Sequence, residues 1–558
     1  MRLNFLRIQN LRSLADTGPI KLRPINVLVG TNSSGKSSFL RAFPLLRQSV
    51  ETATTGPVLW YGRYVDFGTF EQAVRRNAEK EEITFEFGLV LERNFDPERA
   101  PMMYYPRPGL MILQDLNISF SLSLGRVTAD RKTFARRMSM QIGKDHIVLE
   151  SDEEGNILSL KINDLDASVQ AANYSLLPSD NVLPMLIPKP GTSPRQPPNI
   201  ARRFGRPYYR GPFETCLTEA FRPLFAHSMR AERRQEIAHF IGIGSAETQL
   251  AQLRSVGSGG AVFSKKVASL KSSDPVMKGI RNWLLADALP GLLVEIDDAL
   301  AVFFRPVRYI APVRATAERY YRQQDLAVDE VDPQGANLAM FLQSLTLDER
   351  EHFSTWCTDQ LGFSVRARTE GAHISLFLQD RDSDVEYNIA DMGFGFSQVL
   401  PLLAQIWSLS RSVSRRPTSS GYGPRYYRRE LHTRTVSDIV AVEQPELHLH
   451  PRLQAKVADM FVAAIRLAQE SKRALTIIFE THSETIINQL GHLISTKRLL
   501  PEEVQVLLFE KLSASSDTKV SLSSFTGDGT LENWPHGFFL AATDDQFELE
   551  QAVEEADQ

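Results

Sequence analysis

The sequence lacks several features, and each absence removes a class of protein. It has two cysteines in 558 residues, Cys216 and Cys357. They lie too far apart for a redox or metal-binding spacing, so no disulfide framework is expected and a reducing, cytoplasmic setting is. No apolar run is long enough to span a bilayer, and no membrane attachment is expected. The N-terminus opens directly on an alternating, strand-like stretch, Leu3 to Ile8, without the pattern of a signal peptide. No heptad pattern is sustained, which argues against a long coiled coil, and no internal repeat is visible. Neither sign of charge dominates. The net charge is −4, so any nucleic acid would have to be met by local patches. What remains is a globular composition, 42% hydrophobic and 23% charged, in a chain too long for one core.

One stretch organises the rest. Gly30-Thr-Asn-Ser-Ser-Gly-Lys-Ser37 reads G-x-x-x-x-G-K-S, the P-loop. An apolar, β-branched run, Ile25 to Val29, precedes it, and helical Ser38 to Phe43 follows. Strand, glycine-rich turn and helix form the context the motif requires. Glycine lets the backbone bend so that successive N–H groups and the helix N-terminus face an anion. The expected ATP-binding residues are Gly30, Asn32, Ser33, Ser34, Gly35, Lys36, Ser37 and Ser38. Lys36 would reach the β- and γ-phosphates, and the Ser37 hydroxyl would ligate Mg²⁺.

Down the chain, residues 1–29 read as two strands feeding the P-loop and residues 38–50 as the helix leaving it. Residues 60–72 mix glycine, aromatic and polar residues, as a loop near the nucleotide would. Gln72 in this stretch, or Gln48 before it, could touch Mg²⁺ or its water, though an ordinary surface amide is the simpler reading of each. Period-two runs at 83–87, 116–124, 146–150 and 158–162 predict an antiparallel sheet. Prolines break the pattern between Pro188 and Pro212. Residues 213–305 then turn helical, with stretches Cys216 to Gly242 and Val276 to Phe304 punctuated by Pro275 and Pro290. Strands are expected at 306–314 and 372–378, with one helix from Leu338 to Leu361.

Three further motifs follow. In Asp391-Met-Gly-Phe-Gly-Phe-Ser-Gln398 glycines precede a Ser-Gln pair and an apolar helix. This is a second loop opening a helix that could hold an anion, or simply a core helix with Ser397 as its N-cap. In Asp438-Ile-Val-Ala-Val-Glu-Gln-Pro-Glu-Leu-His-Leu-His-Pro451 four apolar residues end in Glu443, the layout of a Walker B strand carrying an acid to Mg²⁺. In Leu475-Thr-Ile-Ile-Phe-Glu-Thr-His-Ser483 another apolar strand ends in polar residues, where open α/β sheets bind ligands. His482 there is a candidate sensor of the γ-phosphate.

The order of these four motifs resembles the ABC-type ATPases of the SMC/RecF/OLD group over residues 1–90 and 306–540. The resemblance implies an α/β fold: an ABC-type ATPase head with a mixed-sheet P-loop core, an antiparallel β subdomain and a compact helical insertion. It implies two ATPs with Mg²⁺ sandwiched between two heads. Gly30, Gly35, Lys36 and Ser37 would bind one ATP, and Gly393, Gly395, Ser397 and Gln398 would close on the partner's. Glu443 would serve Mg²⁺ and His482 would act as the switch histidine. The chain departs from the family at Gln444, where a Glu usually orients the attacking water. Either Glu446 takes that role or hydrolysis is slow. The absence of a coiled coil argues against a chromosome-organising SMC or RecN-like protein, and no acidic Toprim-like block follows residue 483. Size, the 309–314 segment and the tail at 534–539 are similar to PtuA, the ATPase of Septu and of Septu-like retron systems. That similarity implies an oligomeric ATPase, a homodimer or larger, that controls a separate HNH-type nuclease, with reverse transcriptase and its DNA–RNA product as the trigger in the retron case. A RecF-like DNA clamp without an effector is the alternative.

Two arginine-rich loops are candidates for nucleic acid. One holds Arg202, Arg203 and Arg206. The other holds Arg411, Arg415, Arg416, Arg425, Arg428 and Arg429 interleaved with Tyr422, Tyr426 and Tyr427. Arginine pairs with phosphate and tyrosine stacks on unpaired bases, although such loops are also commonly just solvated. The expected division is 1–187, an N-terminal lobe; 188–305, the proline/arginine-rich loop and helical insertion; 306–540, a C-terminal lobe; and 541–558, an acidic tail.

Overall fold

The computed structural model describes residues 2–76, 78–93, 110–127, 132–192, 212–324, 328–410, 437–511 and 517–535. The nucleic-acid candidates from Arg202 to Arg206 and from Arg411 to Arg429, and the acidic tail, lie outside these. The chain divides into two compact units: Met1–Leu22 with Arg41–Val307, and Arg23–Leu40 with Arg308–Gln558.

The second unit carries the P-loop. Labels are given to its elements and to the helix that leaves the P-loop, which continues past Leu40 into the first unit. Strand β1 (Ile25–Gly30) leads into helix α1 (Lys36–Glu51), which opens two residues earlier than the sequence reading places it. The chain returns through β2 (Arg308–Ile310), β3 (Phe363–Glu370), β4 (His373–Asp380), α2 (Phe394–Ser410), β5 (Ser437–Glu443), α3 (Pro451–Glu470), β6 (Ala474–Glu480), α4 (Glu484–Ser495), β7 (Val504–Lys511) and β8 (Thr518–Ser523). Strands run in the order β2-β5-β6-β1-β7-β8, the first five parallel and β8 antiparallel. Parallel strands covered on both faces read as continuous apolar runs rather than alternations. The six residues of β1 are accordingly all buried, and α2, α3 and α4 contribute Leu402, Trp407, Phe461 and Leu490 to the surrounding core. A smaller sheet pairs β3 and β4 in antiparallel register, with short strands Tyr321–Arg322 and Glu386–Asn388 on β4.

The structure refines the expectations here. The strand expected at 306–314 is only three residues long. The single helix expected from Leu338 to Leu361 is two, Leu338–Ser344 and Leu347–Leu361. Thr346 separates them: its hydroxyl accepts from Glu349 N at 3.3 Å, and the Glu349 carboxylate accepts in turn from Thr346 N at 2.9 Å. This capping box, T-x-x-E, starts a new helix. Ser397 is not an N-cap, because α2 begins three residues before it.

The first unit opens on strand Arg2–Leu11, which pairs with Leu14–Asp16 and Ile83–Leu91, so residues 1–29 hold three strands rather than two. An antiparallel meander continues through Leu116–Arg126, Thr133–Ile142, Asp145–Ser151 and Ile157–Ile162. The strand Thr133–Ile142 is new to the sequence reading. The register slips between Ser123 and Leu124, leaving Arg136 as an extra residue beside Arg137 and breaking the alternation. Helices Pro212–Phe221, Ala231–His239, Ala246–Ser255, Gly260–Ser269 and Pro275–Phe304 follow. Pro290 does not punctuate the last of these; it lies inside a 30-residue helix. Gln48 and Gln72 bind their own unit's backbone: Gln48 at Leu59 O (2.6 Å), Tyr64 N and Val65 N (3.2 Å each), Gln72 at Thr69 N (3.0 Å). Among the described residues no helix is long and apolar enough to cross a membrane.

Candidate functional site

The site forms within the second unit, at the carboxyl ends of β1, β5 and β6. Gly30 ends β1 at φ +152°, and a Cβ there would stand 2.2 Å from the Phe509 carbonyl oxygen on β7. No side chain fits, so the loop can leave the sheet only at glycine. Ser33 and Gly35 take φ of +61° and +92°, curling the backbone around the space before α1. Lys36 is buried (3% exposed). Its ammonium donates to the carbonyls of Gly30 (2.9 Å) and Thr31 (2.8 Å). It also stands 3.8 Å from Glu480. Burial lowers its proton affinity below the usual range, and Glu480 and Glu446 offset only part of that.

β6 lies between the P-loop strand and β5, so two acids end side by side: Glu443 and Glu480 are register partners. Glu480 is the one that meets the P-loop, accepting from the Ser37 hydroxyl at 2.6 Å. Glu443, the acid expected at the metal, accepts instead from the Tyr309 hydroxyl at 2.7 Å, and its backbone carbonyl from Arg314 at 3.2 Å. Glu480, Tyr309 and Arg314 were not singled out from the sequence. Only strand order brings Glu480 beside Ser37, although a charged residue ending the apolar run Leu475 to Phe479 was a usable signal.

After Glu443 the chain turns sharply. Gln444 adopts φ +42° and donates its N–H to Glu480 O at 2.9 Å. Glu446 accepts from the backbone N–H of His482 at 2.7 Å, and burial raises its carboxyl above the usual range. His482 has an exposed side chain; partial desolvation and then the Lys36 ammonium lower its proton affinity. Ser483 caps α4 by accepting from Ile486 N at 3.2 Å. On the other side, Gln398 donates to the Arg314 carbonyl at 3.4 Å. Gly393 and Gly395 precede it, with a Cβ on Gly393 meeting open space and one on Gly395 meeting His448 O at 3.4 Å. The glycine-rich turn, α2 and the acid-bearing turn thus pack as one piece.

These residues fit a nucleotide with a hard divalent cation. The Ser34 hydroxyl is fully buried without a hydrogen-bond partner, which marks the P-loop as built around something polar. A hydroxyl and two carboxylates are the oxygen donors Mg²⁺ prefers. Among the described residues, no group of three or more His, Cys, Asp or Glu is arranged to hold a metal ion, so any cation here would lean on the Ser37 hydroxyl and the nucleotide's own oxygens.

Comparison with known proteins gives the following. Residues 271–488 match the family model "AAA domain, putative AbiEii toxin, Type IV TA system", and residues 1–176 match "AAA ATPase domain". No curated protein matches. Similar solved structures include the SmcHead bound to the C-winged helix domain of ScpA (10% identity, 94% of this chain and 98% of that one, TM-score 0.32) and the SMC head domain from Thermotoga maritima (8% identity, 93% and 98%, TM-score 0.31). The P-loop lies in the segment matched at 1–176, and Arg314 to His482 lie in that matched at 271–488.

Proposed function

We propose that this protein is an ATP-gated ATPase of the SMC/RecF/OLD kind that dimerises around nucleotide and controls a partner nuclease of the HNH type in antiphage defence. The observation that carries the ATPase part is the convergence of Lys36, Ser37, Glu480 and Glu443 at the carboxyl ends of adjacent parallel strands. In this reading Lys36 neutralises the β- and γ-phosphates. Ser37 and Glu480 hold Mg²⁺, with Glu443 beside them. Mg²⁺ supplies charge neutralisation on the transferring phosphoryl group. His482 senses the γ-phosphate. Gly393, Gly395, Ser397 and Gln398 serve the partner's nucleotide.

The defence reading draws on the motif order and on the family description at 271–488, which names a toxin of a toxin–antitoxin system. In a retron setting the trigger would be a reverse transcriptase with its DNA–RNA product. Native mass spectrometry of the complex purified from its own operon, with ATP and Mg²⁺, tests this. A dimer or larger assembly carrying a nuclease-sized second protein is the expected result. A bare monomer–dimer equilibrium would sink the effector reading in favour of a RecF-like DNA clamp.

A further inference from the structure

Two buried groups beside the P-loop are left with unmet hydrogen-bonding atoms. Arg314 is 4% exposed. Its guanidinium is held at one corner, by the Glu443 carbonyl, while Nε and Nη1 have no partner. Glu446 uses one carboxylate oxygen on His482 N; the other, Oε2, is buried and unpartnered. The two side chains attract each other electrostatically, yet no ion pair joins them. Each unmet buried group costs about 1–3 kcal/mol, so a fold that only needed stability would have closed the pair or replaced it by apolar side chains.

A species that donates to a carboxylate and accepts from a guanidinium satisfies both, and water does so. The alternative base is missing, because Gln444 cannot accept a proton. We propose that Glu446 and Arg314 hold the water that attacks the γ-phosphorus, with Glu446 as its general base and Arg314 as the residue that positions water and base. This inference rests on the ATPase reading above. As the water oxygen bonds to the γ-phosphorus, its proton passes to Glu446 Oε2. The bond from the γ-phosphorus to the β–γ bridging oxygen breaks, its electron pair leaving with ADP. Inorganic phosphate is the other product, and the proton then returns to solvent. The charged groups facing Glu446 are Arg314, from the segment after β2, and Lys36, from the P-loop; its carboxylate also takes hydrogen bonds from the His482 backbone N–H and the Thr481 side chain. Burial raises the Glu446 carboxyl above the usual range, as suits a proton acceptor, while the hydrogen bonds it accepts and then the Arg314 cation oppose that rise.

The test is steady-state ATP hydrolysis by the full-length protein, with ATPγS affinity measured alongside by calorimetry. Glu446→Gln should lower kcat on the order of 10²-fold or more, while KM and ATPγS affinity stay within about threefold. Arg314→Gln should lower kcat roughly tenfold or more, with Arg314→Lys recovering part of it because a cation is restored. If Glu446→Gln fails to fold, as judged by its melting transition, Glu446→Asp, which withdraws the carboxylate by one methylene, takes its place. Turnover within threefold of wild type in a folded Glu446 variant would overturn the proposal while leaving the ATPase reading intact. Loss of ATPγS binding together with kcat would also overturn it, as a structural role. A wild-type protein that binds no ATPγS would bring down both.

Discussion

Asp297 and Asp145 in the first unit and Arg314 and Glu446 in the second bury charge in opposite ways. In the first, the carboxylate of Asp297, inside helix Pro275–Phe304, accepts from Val182 N (3.0 Å), Leu183 N (2.8 Å), Ser179 (3.0 Å) and Asn181 (3.2 Å). Arg281 is tied to both oxygens of Asp145 and also donates to Gly244 O and Gln249. These groups pin loops and strands to the helices around them. In the second unit, Ser34, Arg314 and Glu446 are buried with atoms unmet. A satisfied buried charge holds a fold together. Unmet ones call for a partner that the chain itself does not supply.

The sharpest break of that contrast is Lys36→Ala. It removes the central cation of the second unit, and turnover should fall to background, at least about a thousandfold. The rise in melting temperature on adding ATP and Mg²⁺ should vanish with it; a persisting shift would mean that nucleotide binds elsewhere. In the first unit Asp297→Ala leaves four donors facing a hole. It should cost about 3–5 kcal/mol in chemical denaturation, yet leave the ATP-induced thermal shift in place. A silent Asp297→Ala would show that buried hydrogen bonding does not decide the stability of this unit.

Asp287 is an acid of the first unit with a different balance. Burial, reinforced by Glu214 and opposed by His239, pushes its carboxyl up to about 6. An acid with a raised folded-state pKa stabilises the protonated form, so its contribution is full below about 4 and lost as pH rises through about 6. Asp287→Asn should therefore raise stability at pH 7 by up to roughly 3 kcal/mol and flatten the urea midpoint between pH 4 and 6. A midpoint profile identical to wild type would contradict this. The smallest expected effect is Gln444→Glu: a second carboxylate near the water should raise kcat by no more than about threefold if Glu446 already serves as base. A jump of tenfold or more would hand the role to position 444.

How much of this was legible in the sequence depended on locality. The P-loop, its strand and its helix are set by neighbours along the chain, and the strand Ile25–Gly30 overshoots its expected end by one residue. The same holds for β5 and for the end of β6. What was missed was set across the sheet. Glu480 reaches Ser37 because β6 lies next to β1, and Arg314 reaches the end of β5 because the chain re-enters after β2; no periodicity encodes either. Pro290 stays helical against local propensity: the helix buries Leu285, Leu289, Leu292 and Ile296 around it, and packing of that kind outweighs one lost backbone bond. The break at Thr346 was written in the chain as a capping signal.

The position of β1 also sets a timetable for the site. Asn26 on β1 bonds to Ile477 on one neighbouring strand and to Gln505 on the other, partners 451 and 479 residues downstream. At roughly 5–20 residues per second, the ribosome adds those partners ~20–90 s after the P-loop strand has been made. Until then this buried strand lacks its sheet neighbours, and the loop it carries has no shape. Nucleotide binding is therefore an ability the nascent protein acquires only near the end of its synthesis. A message cut short before β6 would yield a chain with the complete P-loop motif, unable to use it and prone to aggregate through that strand.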